Sequence, residues 1–115
     1  MNFNSNNISV VMATFNGARY LDEQLQSIVE QTILPEELII CDDGSSDNTI
    51  QIIQNYEKIL PIKLIINVLR LGVAANFKKA AALAKQGNYI AFADQDDIWN
   101  LDKLASHVTL INGLL

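Results

Sequence analysis

Asp94-Gln95-Asp96-Asp97 follows directly on the apolar run Tyr89-Ile90-Ala91-Phe92-Ala93. Carboxylates this close repel one another, and each resists leaving water. A divalent cation relieves both penalties. Magnesium and manganese take oxygen ligands, commonly one or two carboxylates plus the oxygens of a substrate phosphate. The cluster therefore points to a metal-dependent site for a phosphorylated ligand. A helix N-terminus also favours Asp. That reading suits Asp97, ahead of a helical periodicity starting at Leu101, with Asn100 the nearer cap. Asp94 and Asp96 lie too early for it, and their spacing lets both point into one site.

A second constellation, Asp42-Asp43-Gly44-Ser45-Ser46-Asp47, ends the run Glu37-Leu38-Ile39-Ile40-Cys41. Gly44 suits a turn, and Ser46 or Asp47 suits a helix cap. Those roles leave two adjacent Asp residues at a buried strand end unexplained. A carboxylate there accepts hydrogen bonds from a base or a ribose. Thr14-Phe15-Asn16-Gly17 closes a third run, Ile8 to Ala13. Arg70 stands just before Leu71-Gly72, where the plain reading is a solvated loop charge. It is also placed to approach a base or phosphate. His107 reads as a surface or boundary histidine, Trp99 as packing beneath the acidic motif, and Cys41 as a buried, inert thiol.

The elements that must position these clusters alternate along the chain. Ile8–Ala13, Glu37–Cys41, Lys63–Asn67 and Tyr89–Ala93 read as strands. Leu21, Leu25, Ile28 and Val29 recur at helical spacing, as do Ile50 and Ile53 after Asp47 or Asn48 as cap. A third helix runs through Phe77, Ala80, Ala81 and Ala84, with Gly87 ending it. A fourth carries Leu101, Leu104, Ala105, Val108 and Ile111. The order β-α-β-α-β-α-β-α, with near-continuous apolar strands, predicts an α/β fold: a mainly parallel sheet of about four strands with helices on both faces. Asn16, Asp42-Asp43 and Asp94 to Asp97 all follow C-terminal strand ends. In an open α/β sheet that edge binds ligands, so the clusters can share one cleft.

The 115 residues suit one domain, and a half-hydrophobic, 18% charged composition suits a globular core. A formal charge of −5 argues against a nucleic-acid partner. It does not exclude a nucleotide when a metal supplies the positive charge. One cysteine rules out an internal disulfide. No apolar stretch is long enough to span a bilayer, and the polar N-terminus lacks the regions of a signal peptide. A cytoplasmic location is expected, with the inner face of the membrane reached through segments beyond the chain.

Val10-Val11-Met12-Ala13-Thr14-Phe15-Asn16-Gly17, then Ile40-Cys41-Asp42-Asp43-Gly44-Ser45-Ser46-Asp47-Asn48-Thr49, then Ala93-Asp94-Gln95-Asp96-Asp97-Ile98-Trp99 resemble the family 2 glycosyltransferases with the GT-A fold. The match runs from about Ile8 to Leu104, with the motifs in order. The Asp-Gln-Asp-Asp-Ile-Trp variant is similar to bacterial members that build surface polysaccharides, rhamnosyltransferases among them. The resemblance implies a Rossmann-like GT-A half-domain. Thr14, Phe15 and Asn16 would line the nucleotide site, Asp42 or Asp43 would hold the base, and Asp94, with Gln95 beside it, would lie near the ribose. Asp96 would bind the Mn2+ or Mg2+ that bridges the donor diphosphate. Many relatives carry Asn where Arg70 stands.

The implied reaction moves a sugar from a nucleotide-diphosphate sugar to a saccharide or lipid-linked acceptor, usually with inversion by direct attack of an acceptor hydroxyl. That attack needs a general base. In this family the base lies beyond the metal motif, so no catalytic residue is expected within this chain. Residues 1–115 are expected to be a single N-terminal, donor-binding portion. Apolar surface left uncovered is expected to bring copies together as a homo-oligomer. A signalling receiver domain is the main competitor of similar length. Its acidic pair follows the first strand, whereas the pairs here follow the second and fourth.

Overall fold

The computed structural model describes residues 7–94, 99–100 and 103–104. Its elements are β1 (Ile8–Thr14), α1 (Ala18–Val29), β2 (Glu37–Asp42), α2 (Thr49–Tyr56), β3 (Ile62–Ile66), α3 (Val73–Ala82) and β4 (Tyr89–Ala93). The strands form one four-stranded sheet in the order β3-β2-β1-β4, and every pairing is parallel. The expected α/β architecture is therefore present. The expected fourth helix lies outside the described residues, apart from Lys103 and Leu104. His107 lies outside them as well.

β1 and β2 are buried at every position, which is why their sequences are continuous apolar runs rather than alternating ones. Successive side chains still serve opposite faces. Val10, Met12, Leu38 and Ile40 pack with Leu21, Leu25 and Ile28 of α1 and Ile53 and Tyr56 of α2. Val11, Ile39 and Cys41 meet Ala80 and Phe77 of α3 on the other side. Leu21, Leu25 and Ile28 fall at the i, i+4, i+7 spacing of one helix stripe. Each fully buried aliphatic side chain contributes about 1.5–3 kcal/mol.

Apart from one-residue shifts in the bounds of β1, β2 and β3, two elements differ from the sequence reading. α3 ends at Ala82, before Ala84, and Gly87 does not cap it. The last turn tightens instead: the Leu83 and Ala84 amides donate to the Ala80 and Ala81 carbonyls. Gly87, at φ 92°, turns the chain into β4 several residues later. β4 itself is less buried than its apolar sequence suggests. It is the end strand of the described sheet, and Tyr89, Ile90 and Phe92 are 39%, 40% and 51% exposed. α3 packs chiefly over β1 and β2, and its Phe77 meets Phe92 edge to face at 5.9 Å between ring centroids.

At the N-terminal edge of the sheet, Glu37 is buried yet charged. Its carboxylate accepts hydrogen bonds from Lys63 Nζ (2.8 Å), Ser9 Oγ (2.5 Å) and the Lys85 amide (2.6 Å). Burial pushes its pKa up, but these donors outweigh burial and hold it below the usual value. Three strands and the exit of α3 are tied at this point. Among the described residues, no helix is long and apolar enough to cross a membrane.

Candidate functional site

Strand order reverses between β1 and β4, and at such a switch point the loops diverge and leave a crevice at the C-terminal edge. A cavity of about 170 Å³ opens there, bordered by Thr14, Phe15, Asp43, Arg70, Asn76 and Asp94. Five of these residues were singled out from sequence and come from four separate segments. Asn16 and Asp42 do not border the cavity. Gln95 and Asp96 lie outside the described residues.

Asp42 is fully buried and turned inward. Oδ1 accepts from Thr14 Oγ1 (2.7 Å) and Ser45 Oγ (2.6 Å). Oδ2 accepts from the amides of Gly44 (3.0 Å) and Ser45 (2.8 Å). All four lone-pair sites of the carboxylate are thus engaged. Gly44, at φ 89°, makes the reversal that points both amides back at Asp42.

Asn16 holds the same loop from the other strand. Its φ of 49° is a left-handed conformation that Asn tolerates better than most residues. Its Oδ1 accepts the Ser46 amide at 2.8 Å, and its own amide donates to Ser45 Oγ at 2.8 Å. Asp47 joins the starts of two helices. Oδ1 accepts from the Thr49 amide (3.0 Å) and hydroxyl (2.5 Å), and Oδ2 from the Ala18 amide (3.1 Å). The Thr49 hydroxyl bond leads these interactions in holding the Asp47 carboxyl below the ordinary range against partial burial. Asn48 occupies the formal cap position of α2 without a side-chain bond, so Asp47 does the capping.

Asp43 has a different set of partners. Oδ1 accepts from Asn67 Nδ2 (3.0 Å) and the Leu71 amide (2.8 Å), and Oδ2 from the Gly72 amide (2.9 Å). Arg70 Nε lies 3.9 Å from Oδ2. Burial pushes the Asp43 carboxyl up, yet these donors and the Arg70 charge together hold it below the usual carboxylate value. The loop after β3 is thereby wrapped around one carboxylate. Gly72, at φ 87°, allows the turn into α3. Arg70, whose side chain is two-thirds exposed, lays its guanidinium 3.9 Å above the Phe15 ring centroid. A flat cation on a flat ring is a favourable pairing. It also marks the Phe15 face as a stacking surface.

Asp94 is exposed at the end of β4, and its carbonyl accepts a hydrogen bond from Gln24 Nε2. Trp99 is buried: its amide donates to Ser27 Oγ at 3.1 Å, and Lys103 Nζ sits 4.3 Å from its ring centroid. Gln31 accepts the Leu104 amide and donates to the Asn100 carbonyl. α1 thus holds the Asp94 carbonyl through Gln24 and the Trp99 amide through Ser27. Among the described residues, no group of three His, Cys, Asp or Glu could hold a metal ion. Asp94, exposed at the cavity's border, offers the hard oxygen donors that Mg2+ or Mn2+ prefers, whereas Asp43 is occupied by Asn67, Leu71 and Gly72.

Sequence reasoning missed Gln24, Ser27 and Gln31. Their signal was available: polar residues at i, i+3 and i+7 on or beside the same face as Leu21, Leu25 and Ile28. It also missed Asn67 and Asn76, both buried beside Asp43. Asn76 is a lone polar residue in an otherwise apolar stretch of α3, which was the available clue.

The family described as "Glycosyl transferase family 2" matches residues 9–113. The chain is 38% identical over 102 residues to the dTDP-rhamnosyl transferase RfbG of Shigella flexneri, covering 84% of this chain and 35% of that protein. It is 34% identical over 105 residues to the UDP-Glc:alpha-D-GlcNAc-diphosphoundecaprenol beta-1,3-glucosyltransferase WfgD of Escherichia coli, covering 90% of this chain and 40% of that one. The crystal structure of S. aureus TarS 1–349 in complex with UDP-GlcNAc superposes with a TM-score of 0.87 at 28% identity, over 93% of this chain and 31% of that chain. The chain thus spans 35–40% of the length of these two relatives.

Proposed function

Since the chain belongs to glycosyl transferase family 2, we propose that it binds the nucleotide end of a nucleotide-diphosphate sugar, for transfer of that sugar by the protein of which this fold is the donor-binding part. The observation that carries this reading is the cavity at the switch point. It combines an aromatic face (Phe15), an ionised acceptor (Asp43), a guanidinium (Arg70) and a carboxylate at the β4 end (Asp94). A pyrimidine or purine ring stacks on Phe15, replacing or extending the Arg70 pairing. Asp43 rather than Asp42 faces the base, because Asp42 has spent its lone pairs inside the loop. At about 170 Å³ the cavity is smaller than the roughly 300–1,000 Å³ that encloses a drug-sized ligand, so it suits one end of the donor.

Asp94 reaches the ribose, and Asp96, two residues on, is the proposed ligand of Mn2+ or Mg2+. A cation bound there neutralises the diphosphate and acts on it as a Lewis acid. The chain's own residues orient the base, hold the ribose and keep Asp43 ionised. The acceptor is a saccharide or a lipid-linked saccharide, supported by the named activity of the Escherichia coli relative. That acceptor suits work at the cytoplasmic face of a membrane. Inversion follows from direct attack by the acceptor hydroxyl on the anomeric carbon: the glycosidic bond forms as the bond to the nucleoside diphosphate breaks, the nucleoside diphosphate leaves, and the hydroxyl proton passes to a general base that none of the residues assigned here supplies.

Isothermal titration with UDP, dTDP and GDP, with and without Mn2+, tests the reading. Saturable, manganese-enhanced binding of at least one supports it, and no binding in any condition sinks it. The open face of β4 supports a second, compatible reading. Ile90 and Phe92 lie exposed on the side of α3, and such a face associates with another copy. Sedimentation as a monomer at all concentrations would remove that reading alone.

A further inference from the structure

The polar side chains beside Asp43, Asn67 and Asn76 buried and Lys79 exposed, form a directed chain of hydrogen bonds. Lys79 Nζ donates to Asn67 Oδ1 at 2.8 Å. Asn67 Nδ2 then donates to Asp43 Oδ1 at 3.0 Å and to Asn76 Oδ1 at 2.8 Å. Asn76 Nδ2 donates onward to the Cys41 carbonyl at 2.7 Å. An ammonium is donor-only, and a carboxylate or carbonyl accepts only, so the polarity of the whole chain is set at its two ends. With Lys79 in place, the Asn67 amide has one orientation that satisfies every member. Turned over, its carbonyl would face the Asp43 carboxylate and its NH2 would face an ammonium.

We propose that Lys79 and Asn67 are positioning residues for the nucleotide cavity. They fix the orientation of the Asp43 carboxylate as an acceptor, and the site therefore takes a ligand edge that offers an N–H. Lys79 does not border the cavity. It acts through Asn67, whose side chain is buried between Asp43 and α3. Of the roughly four acceptor sites on the carboxylate, three are held by Asn67, Leu71 and Gly72. The one that remains is on Oδ2, the oxygen nearest Arg70. The chain of donors thus leaves one acceptor position for a ligand and keeps its charge state fixed. The base-recognition part of this inference rests on the proposed nucleotide site. The orientation and ionisation of Asp43 do not.

The charged groups around Asp43 are Arg70 in the loop after β3, Lys79 on α3, Asp42 beside it in sequence, and Asp94 across the cavity. Substitution at Lys79 leaves the other three in place. The experiment follows the Asp43 side-chain carboxyl by carbon-detected NMR through an acid titration of the whole chain without ligand or metal. Wild type, Lys79→Met, Lys79→Arg and Asn67→Ala are compared. The expected midpoint is below the ordinary ~3.9 in wild type and rises in Asn67→Ala, which removes a donor to the carboxylate, and in Lys79→Met, which frees Asn67 to turn over. Lys79→Arg restores it. Lys79 is exposed, so Lys79→Met remains a usable variant if Asn67→Ala fails to fold. In the same proteins, UDP affinity at pH 7 with Mn2+ falls several-fold in Lys79→Met and recovers in Lys79→Arg. Coincident Asp43 titration curves in wild type and Lys79→Met would overturn the positioning role. A shifted curve with unchanged UDP affinity would overturn the link to the base. Absence of UDP binding in wild type itself would count against the nucleotide site and leave the titration result standing.

Discussion

Replacing Asp42 with Asn separates scaffold from ligand contact. The carboxylate is fully buried and accepts four hydrogen bonds. Asn keeps one acceptor oxygen and replaces the other with an NH2. That NH2 can be tolerated only beside Thr14 Oγ1 and Ser45 Oγ, because hydroxyls can turn and accept, whereas the Gly44 and Ser45 amides cannot. The retained oxygen then serves the two amides without a charge. Hydrogen bonds to a charged group are worth about 1.5–3 kcal/mol and neutral ones about 0.5–1.5, so losing charge assistance costs about 1 kcal/mol per amide. Reorienting two hydroxyls adds about as much as one such bond. The expected loss is about 2–3 kcal/mol, a large share of the stability of a small domain. Asp42→Ala strands both amides and costs about 4–5 kcal/mol. Urea denaturation measures this as a lower midpoint at constant slope. Below the transition, Asp42→Asn still binds UDP saturably, because Asp42 does not border the cavity. Stability within about 0.5 kcal/mol of wild type, together with lost UDP binding, would refute the reasoning and make Asp42 the ligand contact.

Further outcomes are expected at other positions. Phe15→Ala removes the stacking face and weakens nucleoside-diphosphate binding by about 1–3 kcal/mol, read by calorimetry; unchanged affinity would show that the ring is not used. Glu37 is held below its ordinary 4.5, so its contribution is complete above that value and is lost as pH falls through the lower folded value. Acid denaturation followed by circular dichroism should therefore show a flatter acid limb in Glu37→Gln, with lower stability at pH 7. Tyr56 is buried, its hydroxyl lies 3.0 Å from Asp22 Oδ1, and burial together with that carboxylate pushes it from 10.0 up to about 12. Its contribution is complete below pH 10 and lost between pH 10 and about 12. In Tyr56→Phe, thermal melting should lose that alkaline dependence, and an identical slope in both proteins would contradict it.

The strands and their parallel pairing were legible because β1 and β2 are buried on both faces and must be apolar throughout. The cavity was legible because Thr14, Asp43 and Asp94 each follow a strand in an α/β alternation, and that topology gathers strand ends. The division of labour within Asp42-Asp43 was not. Adjacent residues on a strand point to opposite faces, but which one meets the cavity depends on the loop after β3 wrapping around Asp43. The exposure of β4 was hidden for a similar reason. Tyr89 to Ala93 reads like β1, and only strand order shows that it lies at the sheet's end. Asn76 stands out locally as a lone polar residue in an apolar stretch, but its meeting with Asn67 and Lys79 comes through a turn and a helix, so no local pattern announces the group.

The central claim is that the crevice between β1 and β4 holds a nucleoside diphosphate. Amide shift mapping of the chain during titration with UDP or dTDP in the presence of Mg2+ tests it most directly. Saturable shifts are expected at Phe15, Asp43, Arg70 to Gly72 and Asp94, with the Glu37–Lys63 edge unchanged. Shifts gathered elsewhere, or none at saturating nucleotide, would contradict it.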